Sequence, residues 1–200
     1  FEGRTIPKLI MEIAQADDVS VITAKLAQVA TCLENMTVAL KLVYKYVRPD
    51  YFYGAMRWWL KSWESGCEFR GQETETKTLS GPSAIQTPIV HLIDAFLGVD
   101  HPANEALTKA QTYMKPGHRA FIAAVKDLNL REKMTASDDI KEAYNQCVEN
   151  LHQFRRTHFG LAYNFVMVPS GMNNPRGTGG TPIAAFLKKM DQETVNTTVN

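Results

Sequence analysis

The sequence has 200 residues, 44% of them hydrophobic, enough for a single domain with a real core. Its 22 basic and 21 acidic side chains leave a net charge of +1, which gives nucleic acid or an acidic membrane no electrostatic hold. No stretch reaches the roughly 18 to 20 apolar residues of a membrane span and no leader pattern opens the chain, so a soluble protein is expected.

Cys32, Cys67 and Cys147 are odd in number, far apart and free of any CxxC pairing. That pattern suits reduced thiols in a cytoplasmic setting and excludes a CxxC zinc site or covalent cofactor attachment. The opening at Phe1 rather than methionine suggests a fragment or a processed product.

A short helix is expected over residues 7–15, followed by the acidic pair Asp17 and Asp18. Beyond it Ile22, Leu26, Val29, Leu33, Met36, Leu40, Val43 and Val47 recur by fours and threes, the spacing of a long helix with one buried face. Pro49 ends it, because proline lacks the amide that continues the ladder and disfavours helix in the residue before it.

Residues 50–63 read as a third helix, dense in aromatics: Tyr51, Phe52, Tyr53, Trp58, Trp59 and Trp63. Such density usually means core. Arg57 among them is the exception, since a guanidinium in an aromatic wall can take a carboxylate through two parallel hydrogen bonds. Residues 67–80 read as a polar loop.

Ser83 and Gln86 have the S-x-x-Q spacing of a capping box and open a helix to about Leu97, closed by Gly98. Asp94, near its end, is either solvated or paired with a buried arginine. Two shorter helices follow at 104–114 and 116–128, broken at Lys115 and Pro116.

Ser137, with Asp138 and Asp139 behind it, is a good start for a second very long helix over 138–168. Ile140, Tyr144, Cys147, Leu151, Phe154, Leu161 and Phe165 form its inner stripe, and His158 lies on that stripe with Arg155 one turn earlier. An imidazole there needs partners for its ring nitrogens, because an unpaired buried polar group costs about 1 to 3 kcal/mol. A satisfied core histidine and a metal or haem ligand are both open readings.

Pro169 and the glycines after it end the ordered core. The run GTGGT at 177–181 lacks the lysine and the preceding strand of a phosphate loop, and reads better as a flexible loop that closes over something. A last helix at 182–190 leads to a polar tail, 191–200, expected to fray. The architecture is therefore an all-α helical bundle with two very long helices.

Several stretches together resemble one family, the indoleamine 2,3-dioxygenases and their haem-binding relatives. They are the aromatic segment 52–63, GPSAIQTPIVHLIDAFLGVDH, YMKPGHRAF, FRRTHF and GTGGT, in that order. The resemblance implies one helical catalytic domain over 1–190, enclosing a b-type haem whose proximal ligand is His158. It implies that Arg155 lies near a haem propionate and Asp94, and that Ser83 and Ala84 approach the haem from the distal side. Phe52 and Arg57 are then the groups that pack on the indole of tryptophan and hold its carboxylate, and Thr178 belongs to the loop that closes on substrate.

Phe52 and Arg57 lie about 140 degrees apart on an ideal helix, so both reach one pocket only if Phe52 sits at an irregular helix start after Pro49. His91, His101, His118 and His152 are ranked as non-ligands. The implied reaction opens the indole ring of tryptophan with dioxygen to give N-formylkynurenine. No acid-base dyad stands among the pocket candidates, consistent with chemistry carried by iron.

The resemblance also implies a smaller N-terminal domain that this sequence lacks, so a preceding segment or companion chain is an expected partner. The alternatives are a non-catalytic haem protein that binds or senses dioxygen and a haem-free helical remnant.

Overall fold

The computed structural model describes residues 2–67, 77–102, 104–173 and 175–199, leaving aside the side chains of 63–67 and 77–78. A 3-10 turn, Glu2–Thr5, runs into α1 (Ile6–Gln15), with Pro7 in its first turn. The side chain of Asp18 accepts from the amides of Ser20 at 2.7 Å and Val21 at 3.2 Å, and so starts α2 (Val19–Tyr46).

Ile22, Leu26, Val29 and Leu33 of α2 are buried, the first half of the stripe read from the sequence. Its later members, Leu40 and Val43, are not. At 28 residues, with an 18-residue stretch of mean hydropathy 1.2, α2 meets the length and composition of a membrane-crossing helix, contrary to the sequence expectation that no stretch approaches one. One face of it is the core of this fold, packed on the second long helix.

The aromatic segment departs from expectation. It forms α3 (Pro49–Gly54), breaks at Ala55, and continues as a 3-10 turn, Met56–Leu60. A two-stranded antiparallel hairpin follows, β1 (Trp63–Cys67) with β2 (Lys77–Leu79), pairing Trp63 with Leu79. It stands where a structureless polar loop was expected; the loop residues 68–76 lie outside the described residues.

Ala84–Gln86 make one 3-10 turn before α4 (Pro88–Leu97). Gly98 closes α4 in the left-handed conformation, φ 68°, which favours glycine. Then come α5 (Glu105–Gln111), α6 (Pro116–Asp127), the unanticipated single turn α7 (Arg131–Met134), and α8 (Asp138–Ala162), capped by Ser137.

A π-helical turn, Tyr163–Met167, extends α8 into α9 (Val168–Ser170). Pro169 lies inside this last turn rather than ending the helix; Gly171 does that, at φ 63°. After the glycine-rich loop, α10 (Ile183–Val195) runs beyond its expected end.

The tail expected to fray is docked: Thr194 and Thr197 are buried, and Asn145 holds the backbone of Val199 through both its amide groups. The fold is all-α apart from the one hairpin, with α2 against α8 at its centre and α10 along α8.

Candidate functional site

The inner stripe of α8 is as the spacing predicts. Ile140, Tyr144, Cys147, Leu151, Leu161 and Phe165 are buried, Phe154 is half-buried, and Arg155 and His158 come inward with them. Arg155 is 7% exposed and Asp94, facing it from α4, 5%. The guanidinium donates through Nη2 to Asp94 Oδ1 and through Nη1 to the carbonyl of Met190 in α10. A pair this deep persists because each charge neutralises the other where water cannot.

His158 differs from the other buried-face histidines. It is half-buried and makes no hydrogen bond or ion pair among the described residues. Burial first, and the Arg155 charge second, push its pKa below the ordinary 6.5, so the ring is neutral at pH 7.

The histidines ranked as non-ligands are otherwise engaged or exposed. His91 bonds the carbonyl of Ile85 at 2.6 Å and Gln111 at 3.3 Å, and His152 bonds Asp191 at 2.7 Å. His118 is exposed. His101 lies between Asp94 at 3.1 Å and Glu193 at 2.5 Å.

A second group of candidates gathers around the glycine-rich loop. Thr178 Oγ1 donates to the carbonyl of Pro82 at 2.7 Å, and its own carbonyl accepts from Ser62 Oγ at 2.6 Å. Ser62 in turn accepts from the amide of Gly81 at 3.1 Å. A side chain on Gly81 would meet the Leu60 carbonyl at 2.1 Å and that of Thr178 at 2.7 Å, so the sequence places glycine where two backbones touch.

Ser83 sits in this turn, where its amide donates to Gln86 Oε1 at 3.2 Å as part of the capping box that the spacing predicts. Gly179 lies close enough that a Cβ on it would come within 3.3 Å of Ser83. Ala84 is exposed at the start of the 3-10 turn. The loop is closed on itself by Gly177 to Thr181 at 2.8 Å and by Ile183 to Pro175 at 3.1 Å.

Arg57 reaches the same loop, donating through Nη2 to the carbonyl of Arg176, and stacks 5.4 Å over Tyr53. Its Nε is buried with no partner among the described residues. Phe52 packs edge-on to Phe165 of the π-helical turn at 5.9 Å, and Phe165 meets Tyr44 at 5.8 Å.

The break at Ala55, with φ −119° and ψ −58°, therefore separates Phe52 from Arg57. The irregularity expected at the start of the helix lies in its middle. Beyond it Trp58 and Trp59 face outward, 62% and 89% exposed, against the core role expected of them.

Arg57, Ser83 and Thr178 thus come together around one loop, Asp94, Arg155 and His158 around α8, and Phe52 joins the far end of α8 through Phe165. A cavity of about 450 Å³ beside Asp94 and His101 is not lined by His158.

Sequence reasoning missed His101, Glu193, Ser62 and Phe165 as parts of the site. His101 ends a quoted motif and could have been weighed. Glu193 fell in the presumed tail, and nothing in the sequence marks Ser62.

A family model described as indoleamine 2,3-dioxygenase matches residues 4–197. Indoleamine 2,3-dioxygenase 2 of Mus musculus is 32% identical, over 92% of this chain and 52% of its own length. A 6-hydroxytryptophan 2,3-dioxygenase of Fusarium equiseti is 30% identical, over 89% and 52%. A myoglobin of Haliotis diversicolor is 26% identical, over 92% and 54%. The chain spans about half the length of these curated relatives. With the family pattern running through nearly all of its residues, the chain belongs to the indoleamine 2,3-dioxygenase family.

Proposed function

We propose that this chain is the haem-binding catalytic part of a dioxygenase that cleaves the 2,3 bond of the indole ring, taking dioxygen and L-tryptophan or a related indoleamine to N-formylkynurenine. The observation that carries the reading is His158, a neutral imidazole on the inner stripe of α8 with no protein partner among the described residues. A neutral ring with an unclaimed nitrogen is the form that ligates iron.

The residues present fit a b-type haem, which His158 would hold through its neutral ring while Arg155, anchored by Asp94, would offer a cation to a propionate. Bound there, the haem supplies activation of dioxygen.

The chain's own residues bind, orient and exclude water. Arg57 carries a buried Nε that lacks an acceptor, and a carboxylate at that edge satisfies it with a charge-assisted hydrogen bond. Arg57 is thus assigned to the amino-acid carboxylate of the substrate. Phe52, held edge-on by Phe165, offers its ring to the indole, while Ser83 and Ala84 form the turn beside it. Thr178, tied to Pro82, keeps the loop closed over that turn and water out. The remaining half-length of the relatives, or a companion chain, is assigned to cover the exposed face of Tyr51, Trp58 and Trp59. The unpaired thiols of Cys32 and Cys147 support a cytoplasmic setting.

The abalone myoglobin among the relatives favours a second reading, a haem protein that binds dioxygen without oxidising an indole. Arg57 separates the two, since a carrier needs no carboxylate clamp. The experiment is reconstitution with haem, anaerobic reduction, then addition of oxygen and tryptophan. N-formylkynurenine, with a tryptophan-induced shift of the Soret band, is expected. A Soret band that ignores tryptophan selects the oxygen-binding reading, and no Soret band leaves a haem-free helical remnant.

A further inference from the structure

Arg155 is not positioned by α8 alone. Asp94, its partner, offers its other oxygen to His101, which lies just beyond the close of α4. His101 Nε2 is 3.1 Å from Asp94 Oδ2 and Nδ1 is 2.5 Å from Glu193 Oε2. The three side chains are 10%, 7% and 13% exposed, in the order His101, Asp94, Glu193.

Ionised carboxylates only accept hydrogen bonds, so a ring that meets one at each nitrogen donates from both and is an imidazolium. The four groups then balance, Arg155 and His101 positive, Asp94 and Glu193 negative, which is what a buried charge cluster requires. Burial is the largest influence on His101 and opposes its charge. Asp94 and Glu193 together outweigh burial and raise the pKa above 6.5, with Arg155 working against them. The other charged or titratable groups nearby are Lys189, 3.7 Å from Glu193 in α10, and Asp100, His91, Lys126 and Arg131 around the adjoining cavity.

Glu193 belongs to α10, and α10 begins where the glycine-rich loop ends. The same helix gives its Met190 carbonyl to Arg155 and its Asp191 to His152. The loop and the cation beside His158 are therefore attached to one helix, which meets Asp94 of α4 both through the Arg155 guanidinium and through the His101 imidazole.

We propose that His101 is a positioning residue, bridging Asp94 to Glu193 so that α10, and with it the loop carrying Thr178, is held in register with the Arg155 guanidinium. What the coupled groups serve rests on the dioxygenase reading; the coupling belongs to the polypeptide itself. A folded-state pKa above the free value means that the bridge stabilises fully below about pH 6.5 and is lost as pH rises through the folded value. The loop loosens on the alkaline side.

Amide hydrogen exchange on the whole chain, at one pH and without haem or substrate, tests this. In His101→Ala the amides of Gly177 and Ile183 are expected to exchange about tenfold faster or more, while buried amides of α2 keep their rates. Glu193→Gln, which keeps the shape and removes one charge, must move the same two amides. The double variant His101→Gln with Glu193→Gln puts neutral hydrogen-bonding amides in place of the charges and is expected to return them to within about threefold of the natural chain.

In the natural chain, a magnetic-resonance titration should find the His101 ring losing its proton at a higher pH than a free imidazole does. Unchanged exchange at Gly177 and Ile183 in both single variants, acceleration shared equally by α2, or a ring that titrates no higher than a free imidazole overturns the proposal. Failure to take up haem overturns the dioxygenase reading and leaves this measurement standing.

Discussion

His158 and Arg57 are each left with an unclaimed nitrogen among the described residues. For Arg57 the nitrogen is the fully buried Nε, and leaving such a donor unmet costs about 1 to 3 kcal/mol. Their separate roles predict separate losses. His158→Ala is expected to abolish haem retention, read as loss of the Soret band after reconstitution; a normal band would rule out the assigned ligand. Arg57→Ala should keep haem and weaken tryptophan binding about tenfold to a hundredfold, the worth of a charge-assisted hydrogen bond. Spectral titration with tryptophan measures it, and an unaltered midpoint would remove the clamp.

Between residues and molecule, short irregular elements do most of the positioning. The break at Ala55 aims Arg57 at the loop, the π-helical turn after Ala162 delivers Phe165 to Phe52, and the turn at Gly81 brings Ser83 to the loop. Gly81 is the most direct of these to test. A methyl group there meets carbonyl oxygens of Leu60 and Thr178, neither of which is a flexible side chain, so one of the two backbones must move. Gly81→Ala is expected to weaken substrate binding while leaving haem uptake intact, because His158 and Arg155 stand on α8. Equal loss of both would show that the turn supports the whole fold rather than the loop.

Across the molecule, cohesion comes from α2 on α8 and from a few polar anchors that tie distant segments together. Lys133 donates to the carbonyls of Ile13 at 3.4 Å, Ala14 at 3.0 Å and Ala16 at 2.5 Å, closing the end of α1. Tyr144 donates to the Leu97 carbonyl at 2.6 Å and accepts from Arg131 at 2.8 Å, joining α4, α7 and α8. Burial, the largest influence, lifts its pKa to about 12, so it stays a donor at any working pH. Tyr144→Phe should lower stability by about 1 to 2 kcal/mol. Leu151→Ala, in the centre of the stripe, should cost about 2 to 5 kcal/mol. Urea denaturation measures both, and a larger loss for Tyr144→Phe would mean that the anchor outweighs the packing.

The sequence by itself determined the helices and their inner faces, because a period of 3.6 written in Ile22, Leu26, Val29 and Leu33, or in Ile140, Tyr144, Cys147 and Leu151, is a local property of the chain. It also determined that Arg155 and His158 share a face, since they are one turn apart, and that Gly98 ends a helix. Only the tertiary structure decided that Asp94 pairs with Arg155 rather than with water, that Glu193 and His101 join them, and that Trp58 and Trp59 face outward. Those outcomes depend on which elements meet, and on a break after Gly54 whose direction the local sequence does not set. Spacing along the chain fixes direction around a helix axis, whereas the partner of a buried charge is chosen by whatever the fold brings within three ångströms of it.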